Sequence, residues 1–309
     1  MMTLQCNSPS KSGTWKVSVT VLLLLLAILL TGGISQATET FESATKKQYF
    51  DKYILKAVDH IYNNYRLLGY DIKELYTHSL PYGKYGEIVG TPGRETMCVA
   101  AQIEVILTAI EIYARETGDK SVFDFLPIAS WKGYSYRDIK GHIWVNSRFR
   151  SSGTPDALKN FGMGEVVPFE QLRPGAFINF SRNNRTGHAV TFISFIDQKG
   201  HEYSTHNSSV VGFKYFSAQG RKDPVSGFDY RYAVFKKYGC PKMPYKHDCG
   251  LFYSRKQTLL NTGRMFAPTD WQARRLELID EDPASLPDSV FDSDFFSGDT
   301  VEILESLSE

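Results

Sequence analysis

The stretch that decides the fold begins Ala176-Phe-Ile-Asn-Phe180 and continues, after a polar gap and Gly187, as His188-Ala-Val-Thr-Phe-Ile-Ser-Phe-Ile196. Both runs are rich in β-branched and aromatic residues, and both are too short for helices of a core. Further short runs follow at His201–Asn207, Val211–Phe216 and Tyr230–Lys236. Polar turns separate them, including Asp197-Gln198-Lys199-Gly200. Consecutive strands joined by short turns pair antiparallel.

Upstream of this block the period changes. Tyr49, Ile54, Val58, Ile61, Tyr62 and Tyr65 recur at spacings of three to five, which predicts an amphipathic helix over residues 42–68. Residues 79–93 carry Pro81, Gly83, Gly86, Gly90, Pro92 and Gly93 and read as a loop. A long apolar helix is expected from about Met97 to Thr117, stopped by Gly118. Helices first and strands afterwards define an α+β class with an antiparallel sheet.

The ends of the chain differ from its body. Lys11 and Lys16 precede an apolar run from Val17 to Leu30, and Ser35-Gln36-Ala37 supplies a small-x-small ending. Residues 1–37 thus read as a secretory signal peptide, or as an N-terminal anchor if left uncleaved. The sequence therefore predicts export to the periplasm or cell envelope, with membrane contact only through residues 17–34. Residues 277–309 hold 11 Asp or Glu and no Lys or Arg, and read as an acidic, mobile tail. Residues 38–276, the expected domain, carry 33 basic and 23 acidic residues, so the body is basic and suited to anionic surfaces. No aromatic–basic interleaving or zinc-finger spacing favours nucleic acid. No phosphate loop, dinucleotide fingerprint or Gly-x-Ser-x-Gly elbow is present.

Cysteine arithmetic isolates one thiol. Cys6 falls in the removable leader. Cys240 and Cys249 sit nine residues apart around Pro241 and Pro244, a loop that closes readily as a disulfide. With His247 they offer three zinc ligands, but a fourth is missing and no metal is expected. Cys98 is the odd thiol. At a helix start, free N–H groups and a partial positive charge stabilise a thiolate and can hold an oxyanion. Thr96 is the expected N-cap. His188, at a strand start, is the candidate general base. Asn207, with His206 as the competitor, is the candidate third member that orients the imidazole. The sequons at Asn179, Asn184 and Asn207 matter only on a eukaryotic secretory route.

The order Cys98, His188, Asn207 is that of papain-like hydrolases. Leu172-Arg-Pro174-Gly175 ahead of Gly187-His188, with Pro81-Tyr82 and Tyr85-Gly86 ahead of Cys98, resembles the NlpC-type cell-wall peptidases and the related CHAP-type amidases. Those families carry Asp after Pro-Gly, where this chain has Ala176. They carry small residues after the nucleophile, where this chain has Val99-Ala100. The resemblance covers roughly residues 80–237. It implies a papain-like fold, with the nucleophile at a helix start packed on an antiparallel sheet. It also implies cofactor-free hydrolysis of an amide in peptidoglycan by a monomer. Two other readings share the fold: an inactive envelope-binding module, and a protease or acyltransferase acting on protein. Trp131, Tyr134 and Trp144 are candidates for a substrate groove, with core packing as their commoner role.

Overall fold

The computed structural model describes residues 47–71, 74–125, 152–184, 186–220 and 226–272. The expected leader at 1–37, the expected acidic tail at 277–309 and the aromatic residues Trp131, Tyr134 and Trp144 lie outside them. The class is mixed α+β, with a large and mostly antiparallel sheet. Among the described residues no helix is long and apolar enough to cross a membrane.

Helix α1 spans Asp51–Tyr65 and buries Ile54, Ala57, Val58 and Ile61, the stripe its spacing predicts. It is shorter than the expected 42–68, because Phe50 is not helical and Arg66 is extended. Two short strands, β1 (Leu80–Pro81) and β2 (Glu87–Ile88), pair within the Gly/Pro loop. Helix α2 spans Cys98–Thr117 and ends on Gly118, whose φ of 78° suits a residue without Cβ. It is buried around most of its circumference, as a central core helix must be. A third helix, α3, covers Thr154–Asn160.

The remaining strands are β3 (Gly164–Val166), β4 (Phe177–Ser181), β5 (Gly187–Asp197), β6 (Glu202–Tyr203), β7 (Val210–Gln219), β8 (Gly227–Phe235), β9 (Asp248–Leu251) and β10 (Leu260–Met265). They run in the order β3-β10-β4-β5-β7-β8-β9, with β6 added to the far end of β5. Only β8 and β9 pair in parallel. The expected strand at 201–207 shrinks to Glu202–Tyr203. The strand that returns along β5 is the ten-residue β7 instead.

The sheet curls until it meets itself. Asn183 N donates to Gly250 O at 2.9 Å and Phe252 N donates to Ser181 O at 3.1 Å, with Arg182 bridged to Leu251. Strands β4, β5, β7, β8 and β9 thereby close into a ring through the residues that follow β4. Alternation along each strand then separates an inside from an outside. Phe180, Val190, Phe192, Phe213, Tyr215, Phe235 and Leu251 fill the inside. Phe169, from the turn before β4, joins them, with its ring centroid 4.9 Å from Phe235 and 5.3 Å from Phe195 in edge-to-face contacts. Phe177, Ala189, Phe216 and Ala218 face outward, into the separate core shared with the helices.

One polar side chain fastens α2 to the ring. Gln102 Nε2 donates to Ala189 O at 3.2 Å and Ser217 Oγ at 3.3 Å, and lies 3.4 Å from Cys98 O. Its Oε1 accepts from Thr191 Oγ1 at 2.7 Å. Gln102, Thr191 and Ser217 are all fully or nearly fully buried, so losing one partner leaves the others desolvated and unpaired. Gln102→Leu is expected to cost about 1–3 kcal/mol in urea denaturation. The double change with Thr191→Val should cost less than the sum of the two single changes, since the two residues share one bond. Additive losses would show that the clasp carries no coupling.

Candidate functional site

Cys98 is the first residue of α2, as the sequence predicts. The expected cap is not formed by Thr96. Met97 occupies the N-cap position with extended backbone and no capping side chain, and its carbonyl accepts from Ala101 N at 2.8 Å. The Thr96 hydroxyl donates to Leu75 O at 2.7 Å, tying the helix start to the preceding segment. Cys98 itself is 1% exposed, within the helix-side core. It remains a thiol, while Cys240 and Cys249 form the expected disulfide with Cα atoms 5.3 Å apart.

His188 lies at the same end of the sheet, since Gln102 touches both Cys98 O and Ala189 O. Its side chain, however, takes the other face. Its ring packs 5.8 Å from Phe180 and 5.9 Å from Tyr215, both inside the ring of strands. Neighbouring Ala189 points outward to α2. His188 is 3% exposed, and neither of its nitrogens has a hydrogen-bond partner among the described residues, so none is bonded to the Cys98 sulfur. The expected Cys98–His188 dyad is therefore not assembled in this structure. The physical reason is strand parity: a residue one place along β5 would face α2, and His188 does not.

Asn207 does not orient His188 either. It sits in the turn before β7, where its Oδ1 accepts from Ser209 N at 2.9 Å and its carbonyl accepts from Val210 N. Val210 pairs with Asp197, at the opposite end of β5 from His188. Nine residues at ~3.3 Å each put the two ends about 30 Å apart. His206 belongs to that far end as well, with its ring 5.4 Å from Phe195 and 6.2 Å from Phe169. Phe180 of β4 stands opposite His188, and Gln219, at the end of β7, lies beside the imidazole. The Gln219 amide oxygen accepts from Tyr215 Oη at 2.9 Å. An amide does stand beside the imidazole, then, but it comes from the end of β7.

The electrostatics of His188 follow from this position. Burial holds its pKa well below the ordinary 6.5, and the guanidinium groups of Arg182 and Arg231 push the same way. Gln219 favours the protonated form, but too weakly to offset burial, and its geometry falls short of a hydrogen bond. Arg182 is itself buried, bonded to Asp248, with its guanidinium 4.8 Å from the Phe180 ring centroid. The imidazole is thus neutral at neutral pH.

A surface cleft of about 300 Å³ lies elsewhere, between the segment Val166–Glu170 and the segment Tyr253–Gln257. Glu170 accepts a hydrogen bond from Tyr253 in its wall, and Lys237 covers the Tyr253 ring at 3.3 Å from its centroid. Leu260 and Thr262 also line it. The cleft carries both signs of charge, with Glu170 and Arg255, and an aromatic wall. It contains neither Cys98 nor His188. No family model, curated protein or solved structure matches this chain.

The depressed pKa of His188 has a stability consequence of definite sign. Below about pH 6.5 the unfolded chain takes up a proton at this residue and the folded chain does not, so stability falls as pH falls. Thermal melts between pH 7.5 and 5 should show this loss, and His188→Leu should reduce it. A wild-type and a His188→Leu profile that run parallel through pH 6.5 would mean that His188 protonates freely in the native state.

Proposed function

We propose that the chain is an exported, papain-like domain of the NlpC/CHAP kind that binds cell-wall peptide or glycan without hydrolysing it. One observation carries the reading: the would-be nucleophile Cys98 and the would-be base His188 are both solvent-inaccessible and lie on opposite sides of one sheet. An acyl transfer needs base and nucleophile within hydrogen-bond reach, and both within reach of substrate. The replacement of the family's small residues by Val99-Ala100, and of its Asp by Ala176, fits the same reading. The basic body suits an acidic wall polymer. The cleft between Val166–Glu170 and Tyr253–Gln257 supplies the contact surface, with Arg255 for a carboxylate and Glu170 for an ammonium group.

A second reading keeps the hydrolase. It rests on the two unpartnered nitrogens of His188 beside Gln219, because buried polar groups left unpaired concentrate at functional sites. On that reading Cys98, His188 and Gln219 form the catalytic set, once the start of β5 and the start of α2 shift relative to one another.

Co-sedimentation with purified peptidoglycan, followed by mass spectrometry of the released fragments, separates the two. The binding module predicts sedimentation with the wall, no released muropeptides, and the same binding for Cys98→Ala. Arg255→Glu should weaken binding several-fold. Fragments released by wild type and absent with Cys98→Ala would overturn the module and establish the hydrolase. Absence of binding at low salt would overturn the choice of ligand.

A further inference from the structure

The segment Gly239–Cys249, between β8 and β9, gathers three soft or borderline ligands at one point of the surface. Ligand atoms of Cys240, His247 and Cys249 all lie within 4.8 Å of one another. His247 is set up as a metal-binding imidazole is. Its Nδ1 lies 3.1 Å from Tyr245 O, and a carbonyl can only accept, so Nδ1 carries the proton. The lone pair is then on Nε2, which lies 3.7 Å from Cys240 Sγ. A backbone carbonyl that fixes the tautomer in this way is the usual support of a metal-bound histidine.

Contacts besides the disulfide hold the segment. Tyr245 stacks on Tyr232 of β8 with ring centroids 3.5 Å apart, and its hydroxyl donates to Gly200 O at 3.1 Å. Cys249 belongs to β9, whose pairing with β8 fixes its backbone. Opening the disulfide therefore leaves the three side chains close together.

We infer that Cys240, His247 and Cys249 bind one zinc ion when their disulfide is reduced. A dithiol supplies the two electrons and is itself oxidised to a disulfide, while the two cysteine sulfurs leave as thiols. Zinc then displaces one proton from each, giving two thiolates and a neutral imidazole around a doubly charged ion. Ideal bond lengths of about 2.3 Å to sulfur and 2.0–2.1 Å to nitrogen require a sulfur–nitrogen separation near 3.5 Å in a tetrahedral site. The observed 3.7 Å already meets this. Cys240 is exposed, so water takes the fourth position. The site is a redox-gated one: oxidised chain holds a disulfide, reduced chain holds zinc. It is independent of the wall-binding reading.

The test uses the full chain, reduced with a phosphine so that no added thiol competes for metal. Zinc content after gel filtration should be one per reduced chain and none per oxidised chain. Cobalt should give the thiolate charge-transfer band of a tetrahedral site. The control is Cys240→Ser/Cys249→Ser, which retains Cys6 and Cys98. His247→Ala should weaken zinc binding by more than the roughly 10–100-fold that loss of a supporting residue costs. Its folding can be checked in the oxidised state, where the disulfide is intact. Zinc uptake by reduced wild type no greater than by the double variant would overturn the site. So would equal affinity of wild type and His247→Ala, which would reduce it to a pair of thiols.

Discussion

The clasp made by Gln102 sets the relation between the two halves of this fold. A central helix with apolar residues on nearly every side has no preferred rotation against a sheet on hydrophobic grounds alone. A buried amide does define one, because its donors and its acceptor must each be met. Gln102 meets Ala189 O, Ser217 Oγ and Thr191 Oγ1, and so fixes both the azimuth of α2 and its height along β5 and β7. Everything at that end of the sheet inherits this docking. Cys98 lies one turn earlier on the helix and is carried into the outer core with it.

The closed ring of strands has the complementary effect on His188. Once β4 reaches β9 through Asn183, Gly250, Ser181 and Phe252, the sheet has an interior, and alternate residues must enter it. The interior is packed with phenylalanine rings in edge-to-face and tilted contacts, which leave a polar ring few ways to find a partner. His188 sits at its rim beside Gln219, near Arg182 and Arg231, and it stays neutral because protonation there is opposed by burial and by both guanidiniums. The same curl leaves the loop between β8 and β9 outside, where a disulfide and a histidine meet at the surface.

Much of this was written in local pattern. The 3.6-residue spacing of Ile54, Val58 and Ile61 specified α1. Gly118 specified the end of α2, and alternation specified β4, β5 and β8. The nine-residue spacing of Cys240 and Cys249 specified their bond. These signals survive because each depends on neighbours within one or two turns of chain. The failures are of another kind. The run His201–Asn207 has strand-like composition but extends β5's hairpin by only two residues, since Asp197 gathers His201 N, Lys199 N and Tyr203 Oη into a tight turn. The return strand begins later than composition suggests, and every cross-strand partner shifts with it.

What the sequence determined alone is therefore the inventory: a mixed α+β chain, a cysteine at a helix start, a histidine at a strand start, a disulfide loop and a basic body. Which of these meet was decided by tertiary structure. Parity sends His188 inward while Ala189 faces α2, the end of β7 brings Gln219 rather than Asn207 to its side, and closure of the ring turns a sheet face into a buried interior. The reason is physical. Side-chain period along a strand is two, so a single step of register or the choice of which face curls inward reverses every contact. Neither choice is encoded within the strand itself. Both are settled by distant residues: by Gln102 on the helix, and by Gly250 and Phe252, some seventy residues beyond Ser181 and Asn183 in the chain.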